Sequence, residues 1–493
     1  MATAAASTPT ANGSASLGSL PTDAISYEDL YARWERGNWS ATELDFTEDA
    51  RQWREDFTDF ERRAAVWNYC LFFWGEDAVA DNLSPYIDAA PREEQKYFLT
   101  TQQVDEARHA VFFKRFMQEV CGVGDGSMAS GLQAIRPQLS PGFRKIFGRL
   151  DTMADELRKD RSPAKLAAAV TLYHVVIEAS LAQPGQHFIC GYLQERDQLP
   201  AFREGMENIA ADEQRHIGFG VKLLADLNRE DPDRVPRAVA DILREVNPYT
   251  SQVLMPPGWD ERYITVFNAT YDDVGIEGLT SMTTKLRSAG LAVETLPGPP
   301  VLPPGLSPLE ISQRGRALAK AGVIGVREGP TSRDPEVVAM LFDTIRRQVS
   351  PSHGLRRPAT FQWEFTDPDI PAWHLRVENG SSVLLHLHGD RRGPEGHTPA
   401  LGQPSRAVLQ HSYGKDSPTR RLPALRELWA ALPGPLTVCI LPPYPANYQR
   451  PGGRRFHVDN RIRAGEGRPD HGEEASDQQP VDGVGFGPHL CHD

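Results

Sequence analysis

Two copies of one short pattern, Asp-Glu-x-Arg-His, stand at residues 105–109 and 212–216 and could bind metal ions. In each copy a glutamate precedes a histidine by three positions, so on a helix both side chains project from one face. The pairs are Glu106 with His109 and Glu213 with His216. A carboxylate oxygen and an imidazole nitrogen on one face can chelate a single ion. A lone Glu-x-x-His arises by chance in a chain of this length, but two copies of the longer pattern predict two linked metal positions.

Two further glutamates interrupt apolar stretches that precede the two pairs. Glu76 lies in WNYCLFFWGEDAVADNL, and Glu178 lies in LAAAVTLYHVVIEASLA. Because an ionised carboxylate buried alone costs on the order of several kcal/mol, it must be paired, protonated or bound to metal. The order along the chain therefore predicts a site for two ions inside a helical bundle, with each of four helices contributing ligands. The six predicted ligands are Glu76, Glu106, His109, Glu178, Glu213 and His216.

Oxygen ligands combined with imidazole favour iron or manganese over copper or structural zinc. We therefore expect Fe and/or Mn, two ions per chain, with O2 as co-substrate. The alternative is a solvated helix face of ion pairs, which is the better explanation for either copy taken alone. Asp105 and Asp212, which open the two copies, are surface acids on that alternative. In a metal site, each could instead accept a hydrogen bond from the outer nitrogen of a metal-bound histidine.

The bulk composition excludes some classes of function. The chain has 493 residues and a net charge of -13, which opposes the phosphate neutralisation of nucleic-acid binding, so we expect no nucleic-acid partner. The five cysteines show no Cys-x-x-Cys spacing, and the first residues form no basic or apolar signal region. These features predict a cytoplasmic protein. No run reaches the roughly 18 consecutive apolar residues that cross a bilayer, so we expect no membrane span.

Changes of pattern divide the chain into five segments. Helical spacing of apolar residues predominates up to residue 290 and is followed by ETLPGPPVLPPGLSPL, where proline and glycine disfavour regular structure. Beyond it, Val337 to Val349 has the pattern of an amphipathic helix, and Ala359 to Val377 has that of two strands. The predicted fold class is mainly α, with a helical bundle and a second, small α+β domain. The segments are a disordered tail 1–26, the helical domain 27–290, a Pro-rich linker 291–333, the α+β domain 334–440 and a disordered tail 441–493.

The six predicted ligands, in this order and spacing, resemble those of the ferritin-like superfamily. The resemblance is specifically to the small subunit of class I ribonucleotide reductase and to its ligand-binding oxidase relatives. It covers residues 27–290 and implies a ferritin-like helical bundle with a dinuclear Mn/Fe or di-iron centre. In the reductase small subunits a radical-bearing tyrosine follows the first Glu-x-x-His by one turn, whereas Phe113 stands there in this chain. This departure favours the oxidase branch.

The resemblance to the oxidases implies two further features. These enzymes hold a long-chain, lipid-like ligand near the metals, and they form an oxygen-dependent ether cross-link between a valine and a tyrosine. Val79 and Tyr173 match that pair by position. His174 is placed like the additional histidine ligand of related amine N-oxygenases, but we interpret it as a core histidine outside the ligand set. The segment 334–377, with ATFQWEFTDPDIPAWHLRVENG, is similar to the front half of a sterol-carrier-like domain, which shelters apolar ligands.

We therefore expect a dinuclear-metal, O2-dependent oxidoreductase that acts on a small apolar or fatty-acid-like molecule. Aromatic side chains near the ligands would keep the cavity dry, namely Phe72, Phe73, Phe112 and Phe113. Two alternatives stay open: a lipid-binding protein whose metal is structural, and a ribonucleotide reductase small subunit that uses a metal-based oxidant. A homodimer is consistent with the resemblance.

Overall fold

A computed structural model describes residues 22, 24–296, 301–303, 305–327, 329 and 332–348, together with five separate strands between 359 and 458. The predicted disordered tails 1–26 and 441–493 lie almost entirely outside the described residues. Helices dominate the described chain up to residue 348. In chain order the α-helices are α1 Tyr27–Arg36, α2 Thr47–Glu55, α3 Asp59–Asn82, α4 Ser84–Ala89, α5 Glu93–Glu119, α6 Met128–Ile135, α7 Pro141–Lys159, α8 Pro163–Val170, α9 Gln183–Glu195, α10 Pro200–Glu230, α11 Val235–Thr250, α12 Arg262–Thr265, α13 Tyr271–Ser288, α14 Pro308–Lys320 and α15 Pro335–Gln348.

Local sequence signals begin the helices that matter for the site. Thr58 and Glu61 form a capping box at the start of α3, in which each side chain accepts a hydrogen bond from the backbone N–H of the other. Ser162 accepts from the backbone N–H of Lys165 at the start of α8, directly before a proline at the first helical position.

The start of α10 is capped from a distance. Leu199, directly before this helix, has a left-handed backbone with φ of 49° and supplies no side-chain cap. The carboxylate of Asp49, on α2, instead accepts hydrogen bonds from the backbone N–H groups of Ala201 at 3.1 Å and Phe202 at 2.8 Å. Burial raises the pKa of Asp49 above its usual value, although these two N–H groups act in the opposite direction. These hydrogen bonds connect α2 to α10, which is one of the long helices.

Four long helices form the central bundle: α3, α5, the continuous helix Pro163–Glu195 and α10. Among the described helices, Pro163–Glu195 is the one long and apolar enough to cross a membrane, but 78% of its apolar window is buried inside the protein. Its apolar surface is therefore used in packing against neighbouring helices. The middle of this helix, Thr171–Ala182, is a π-helix, and it packs against α10 and α13.

The C-terminal part contains a five-stranded antiparallel sheet in the order β3-β2-β1-β4-β5. The helix predicted at 337–349 is α15, and the two strands predicted in 359–377 are β1 and β2; both predictions are confirmed. The sequence did not reveal α14, which lies inside the segment predicted as a linker, nor β5, which lies inside the predicted tail. The strands are β1 Ala359–Phe365, β2 Trp373–Glu378, β3 Ser381–His386, β4 Leu436–Leu441 and β5 Arg454–Val458.

Candidate dinuclear metal site

All six predicted ligands converge in the middle of the bundle, and all are buried. Glu76 comes from α3, one Glu-x-x-His pair from α5, Glu178 from the π-helix and the other pair from α10. Two overlapping groups have ligand atoms within 4.8 Å of one another. The first position consists of Glu76, Glu106, His109 and Glu213, and the second position consists of Glu106, Glu178 and His216.

The distances around His109 and His216 show how the positions are joined. His109 Nδ1 lies 3.5 Å from Glu106 Oε2 and 3.7 Å from Glu213 Oε1. His216 Nδ1 lies 3.1 Å from Glu106 Oε1 and 3.6 Å from Glu213 Oε2. Each of these two glutamates therefore directs one oxygen toward each histidine, which is the arrangement of a bridging carboxylate.

The remaining two glutamates lie at opposite ends of the site. Glu76 Oε2 is 3.3 Å from His109 Nδ1. Glu178 Oε1 is 3.9 Å from His216 Nδ1. The geometry thus offers one terminal carboxylate and one histidine to each position, with two carboxylates shared between them.

Each histidine is held by an aspartate of the opposite helix. His109, on α5, has its Nε2 3.0 Å from Asp212 Oδ2, on α10. His216, on α10, has its Nε2 3.1 Å from Asp105 Oδ2, on α5. A hydrogen bond at the outer nitrogen fixes the ring and leaves Nδ1 directed at the site. The structure thus favours the metal-site interpretation of both aspartates over that of surface acids.

Two arginines complete this crossed arrangement. Arg108 contacts both aspartates, lying against Asp105 and 3.1 Å from Asp212. Arg215 does the same, lying against Asp212 and 3.3 Å from Asp105. Two positive and two negative side chains therefore balance one another behind the histidines, which lowers the cost of burying them.

Two half-buried tryptophans from the N-terminal segment also contact this network. Trp34 Nε1 donates to Asp105 Oδ1 at 2.8 Å, and Trp39 Nε1 donates to Asp212 Oδ2 at 2.9 Å. Neither the tryptophans nor the arginines were predicted to have a role at the site. The arginines could have been recognised from the sequence, because each is part of the repeated pattern. No neighbouring residues distinguish the two tryptophans.

The π-helix determines which side chains near Glu178 face the site. In an α-helix, residues five apart point about 140° away from each other. A π-helix closes its hydrogen bonds from residue i to residue i+5, which brings such residues back to one side. Tyr173, five residues before Glu178, accordingly donates its hydroxyl to Glu106 Oε1 at 2.6 Å.

Val79 and His174 are the other two candidate residues, and neither is a ligand in the two metal positions. Val79 is buried on α3 and belongs to the same apolar cluster as Tyr173. His174 is in neither metal position, and its Nε2 lies 3.2 Å from Gln102 Oε1. Burial, reinforced by the nearby His216, lowers the pKa of His174 to about 3. A neutral core histidine outside the ligand set agrees with the sequence interpretation.

The electrostatics of the ligands show how strongly they depend on one another. Burial raises the pKa of Glu76 to about 8 and raises that of Glu178 well above its usual value. Burial acts on Glu106 in the same direction, but the positive charges of His216 and His109, which lie beside its two oxygens, hold its pKa well below its usual value. Burial would lower the pKa of His109, yet Asp212, Glu106 and Glu76 hold it well above its usual value.

The side chains present fit a pair of cations. Among the described residues, Glu178 Oε2, Glu213 Oε2 and His216 Nδ1 are buried and have no hydrogen-bond partner. Unpaired buried polar atoms are costly, and three of them at one site indicate a missing partner. Four carboxylates offset the charge of two divalent ions, and the oxygen and imidazole donors suit iron or manganese.

Four helices around a carboxylate–histidine site with two bridging glutamates define a ferritin-like bundle with a dinuclear metal site. Residues 20–249 match the model of the ribonucleotide reductase small-chain family. The matched segment is somewhat less than half of the chain, and it includes all six predicted ligands.

Several solved structures of R2-like ligand-binding oxidases are similar to this chain. The one from Sulfolobus acidocaldarius is 24% identical, with 55% of this chain and 94% of that chain covered and a TM-score of 0.43. A variant oxidase with an aerobically reconstituted Mn/Fe cofactor is 23% identical, with coverages of 55% and 94% and a TM-score of 0.47. Another variant, with an anaerobically reconstituted Mn/Fe cofactor, is 23% identical, with coverages of 54% and 93% and a TM-score of 0.46.

Proposed function

We propose that this chain is a dinuclear-metal oxidase that activates O2 for the two-electron oxidation of an apolar, lipid-like molecule. The observation that carries the proposal is the division of two glutamates between two histidines at the centre of the bundle. Iron at both positions, or manganese with iron, suits this set of donors. When bound, two such ions supply electrons to dioxygen at an open coordination position.

The protein holds the ligands in place and keeps water away from them. The crossed aspartates and arginines fix both histidine rings, so the ligand nitrogens need little rearrangement on loading. Phe72, one turn before Glu76, and Phe113, one turn after His109, stack with ring centroids 5.7 Å apart. Phe113 also packs edge-on against Phe112, at 5.1 Å. These buried rings provide an apolar surface that an aliphatic substrate could contact.

We also propose the ether cross-link between Val79 and Tyr173. The hydroxyl of Tyr173 is bonded to the shared ligand Glu106, and Val79 is one turn from Glu76 on α3. Forming the link breaks one C–H bond and one O–H bond and makes one C–O bond. O2 accepts the two electrons and two protons released.

Metal loading under controlled oxygen tests the oxidase. Metal-free protein loaded with Fe2+, or with Mn2+ and Fe2+, under nitrogen should bind two ions and then consume O2 on exposure to air, with changes in absorption and EPR spectra. The variant Glu106→Gln, which alters a shared ligand, should lose this response. A fully loaded wild-type protein that neither consumes O2 nor changes its spectra in air would contradict the proposal.

Intact mass spectrometry tests the cross-link separately. Protein loaded in air should be lighter by two hydrogens than protein loaded under nitrogen, and Tyr173→Phe should show no such loss. A wild-type mass that is the same in both atmospheres would exclude the link while leaving the oxidase proposal standing.

The family match favours a second candidate, a ribonucleotide reductase small subunit that uses a metal-based oxidant. Phe113 replaces the radical tyrosine of such subunits and lies fully buried between Phe72 and Phe112. Nucleotide reduction by a purified large subunit in the presence of this chain would establish this candidate. Failure with several large subunits would favour the oxidase.

A further inference from the structure

The two metal positions have unequal surroundings, and one of the differences is a single amide. Gln102, on α5 and one turn before Glu106, is fully buried. Its Nε2 donates to Glu178 Oε1 and to Tyr173 Oη, both at 3.0 Å. It therefore binds the terminal carboxylate of the second position and the phenol that is bonded to a shared ligand.

The amide of Gln102 is itself held in one orientation. Its Oε1 lies 3.2 Å from His174 Nε2. Because the carbonyl of Gln102 can only accept, the Nε2 of His174 must carry the proton and donate it. This contact directs the two N–H groups of Gln102 away from His174 and toward Glu178 and Tyr173.

The hydrogen bond from Gln102 leaves one carboxylate oxygen of Glu178 available to bind an ion. Its Oε1 accepts from Gln102, whereas its Oε2 is buried with no partner among the described residues. A carboxylate fixed through one oxygen presents the other in a defined direction, which reduces the entropy lost on binding an ion. The same amide also orients Tyr173. The phenol oxygen accepts a hydrogen bond from Gln102, so the O–H of Tyr173 is free to donate to Glu106.

The first position has no equivalent of this amide. In the part of the chain that the structure describes, Glu76 has one hydrogen-bond partner, the ring nitrogen of His109. The hydrogen bonds of Gln102 reach Glu178, Tyr173, His174 and, at 3.5 Å, the shared Glu106, but neither Glu76 nor His109. The amide thus acts on one end of the site.

We propose that Gln102, oriented by His174, is a positioning residue for the second position and makes the affinities of the two positions unequal. The proposal rests on the dinuclear site proposed above. It implies that ions load in order, and that replacing the amide weakens one of two binding steps rather than both.

Titration of Mn2+ into metal-free protein, followed by calorimetry and by native mass spectrometry, tests this directly. Gln102→Met keeps the volume but removes both donors, and should weaken one of the two binding steps by about 10–100-fold while leaving the other within about threefold. The matched control is Gln103→Met. Gln103 is the next residue on α5, and its amide donates to Ala80 O and Ser84 Oγ, outside the site. This control should behave as the wild type.

Three further substitutions show which metal position is affected and which residue orients the amide. In a Glu178→Ala background, which lacks the terminal ligand of the second position, Gln102→Met should cause no additional loss of affinity. His174→Gln retains an N–H donor toward Gln102 and should preserve the binding step that Gln102→Met weakens, whereas His174→Leu should weaken that step. Circular dichroism of each metal-free variant checks that the helices are intact. If Gln102→Met does not fold, the His174 pair alone decides the question.

The outcomes separate the two proposals. A wild-type chain that binds fewer than two ions overturns the dinuclear site itself. A wild-type chain that binds two ions, with Gln102→Met unchanged or weakened equally at both steps, overturns the role of Gln102 and leaves the dinuclear site in place.

Discussion

His174 shows how one buried residue links the site to the stability of the bundle. It lies against Gly220 of α10, where a Cβ atom would come within 2.3 Å of the imidazole, so the ring fills the space that this glycine leaves. It has no exposed surface. An imidazole enclosed in this way is costly to protonate, which agrees with the low pKa given above.

The low pKa of His174 predicts how the stability of the protein depends on pH. The pKa of His174 is about 3 in the folded protein, and that of an unfolded histidine is about 6.5. Because the folded value is lower, the unfolded chain takes up the proton first as the pH falls. The stabilisation is complete above about pH 6.5 and is lost progressively toward pH 3, with a loss of about 2 kcal/mol between pH 7 and pH 5.

Urea unfolding of the metal-free protein at pH 7 and pH 5 measures this loss. His174→Gln should lose about 2 kcal/mol less than the wild type between the two pH values, since all other titrating groups are common to both proteins. His187→Gln, which replaces an exposed histidine on α9, is the control and should follow the wild type. Equal losses in wild type and His174→Gln would show that His174 is protonated as easily in the folded state as in the unfolded state.

At this scale the sequence predicted the six residues that converge at the candidate site, but not the residues that hold them in place. The ligands repeat at helical spacing and interrupt apolar runs, so their chemistry is visible locally. The contact of Gln102 with Tyr173 joins residues 71 apart, and that of Trp39 with Asp212 joins residues 173 apart. No spacing rule within one helix can reveal such pairs, because they depend on how separate helices pack.

At the scale of elements, the remote cap of α10 joins the outer helices to the helix that carries Glu213 and His216. A helix start leaves backbone N–H groups unsatisfied, and Asp49 provides the acceptor that the residue before Pro200 does not. The left-handed conformation of Leu199 adds to the need for an external cap.

We predict that Asp49→Ala lowers the free energy of unfolding by about 1–2 kcal/mol. Chemical denaturation followed by circular dichroism measures this change. Glu43→Ala, at an exposed position in the preceding loop, should leave the free energy within about 0.5 kcal/mol of the wild type. If both variants had the same stability as the wild type, the cap would contribute nothing that water does not supply.

The helices themselves were largely predictable, and the π-helix was not. Apolar periodicity and capping signals such as Thr58 with Glu61 mark where α-helices begin. Within Thr171–Ala182 the residues are almost all apolar, so no polar face shows which of them point inward. The five-residue spacing of Tyr173 and Glu178 is visible in the sequence, but it indicates a common face only once the hydrogen-bond pattern is known.

For the whole molecule, the candidate site and the sheet are built from separate stretches of the chain. The site uses side chains between residues 76 and 216, whereas the sheet begins at residue 359. A third apolar cluster, which includes Leu318, Leu341 and Trp373, contains none of the predicted ligands.

We therefore predict that a chain ending at residue 327 binds metal as the full chain does. Gln252 Oε1 accepts a hydrogen bond from the backbone N–H of Val326 at 2.7 Å, so this end point keeps a contact that anchors the residues directly after α14. Metal analysis after loading should give two ions per chain for both proteins. The truncated chain would contradict the prediction if it folded, by circular dichroism, and bound fewer ions than the full chain.

The C-terminal part was harder to predict because its contacts are distant in sequence. β1 and β2 are neighbours along the chain and were both predicted. β4 pairs with β1 through Thr360 and Leu441, which are far apart along the chain. The helix α14 was hidden by prolines around it, one of which occupies its first position, where proline is favoured.

The charge balance behind the histidines has a consequence for how the protein acquires its ions. Asp105 and Asp212 are neutralised by Arg108 and Arg215, so this layer needs no cation from outside to close. We therefore expect the polypeptide to complete its tertiary structure before it is loaded with metal. Its final metal content would then reflect which divalent ion the cell supplies at that moment, and starvation for one element would be recorded in the composition of the mature protein.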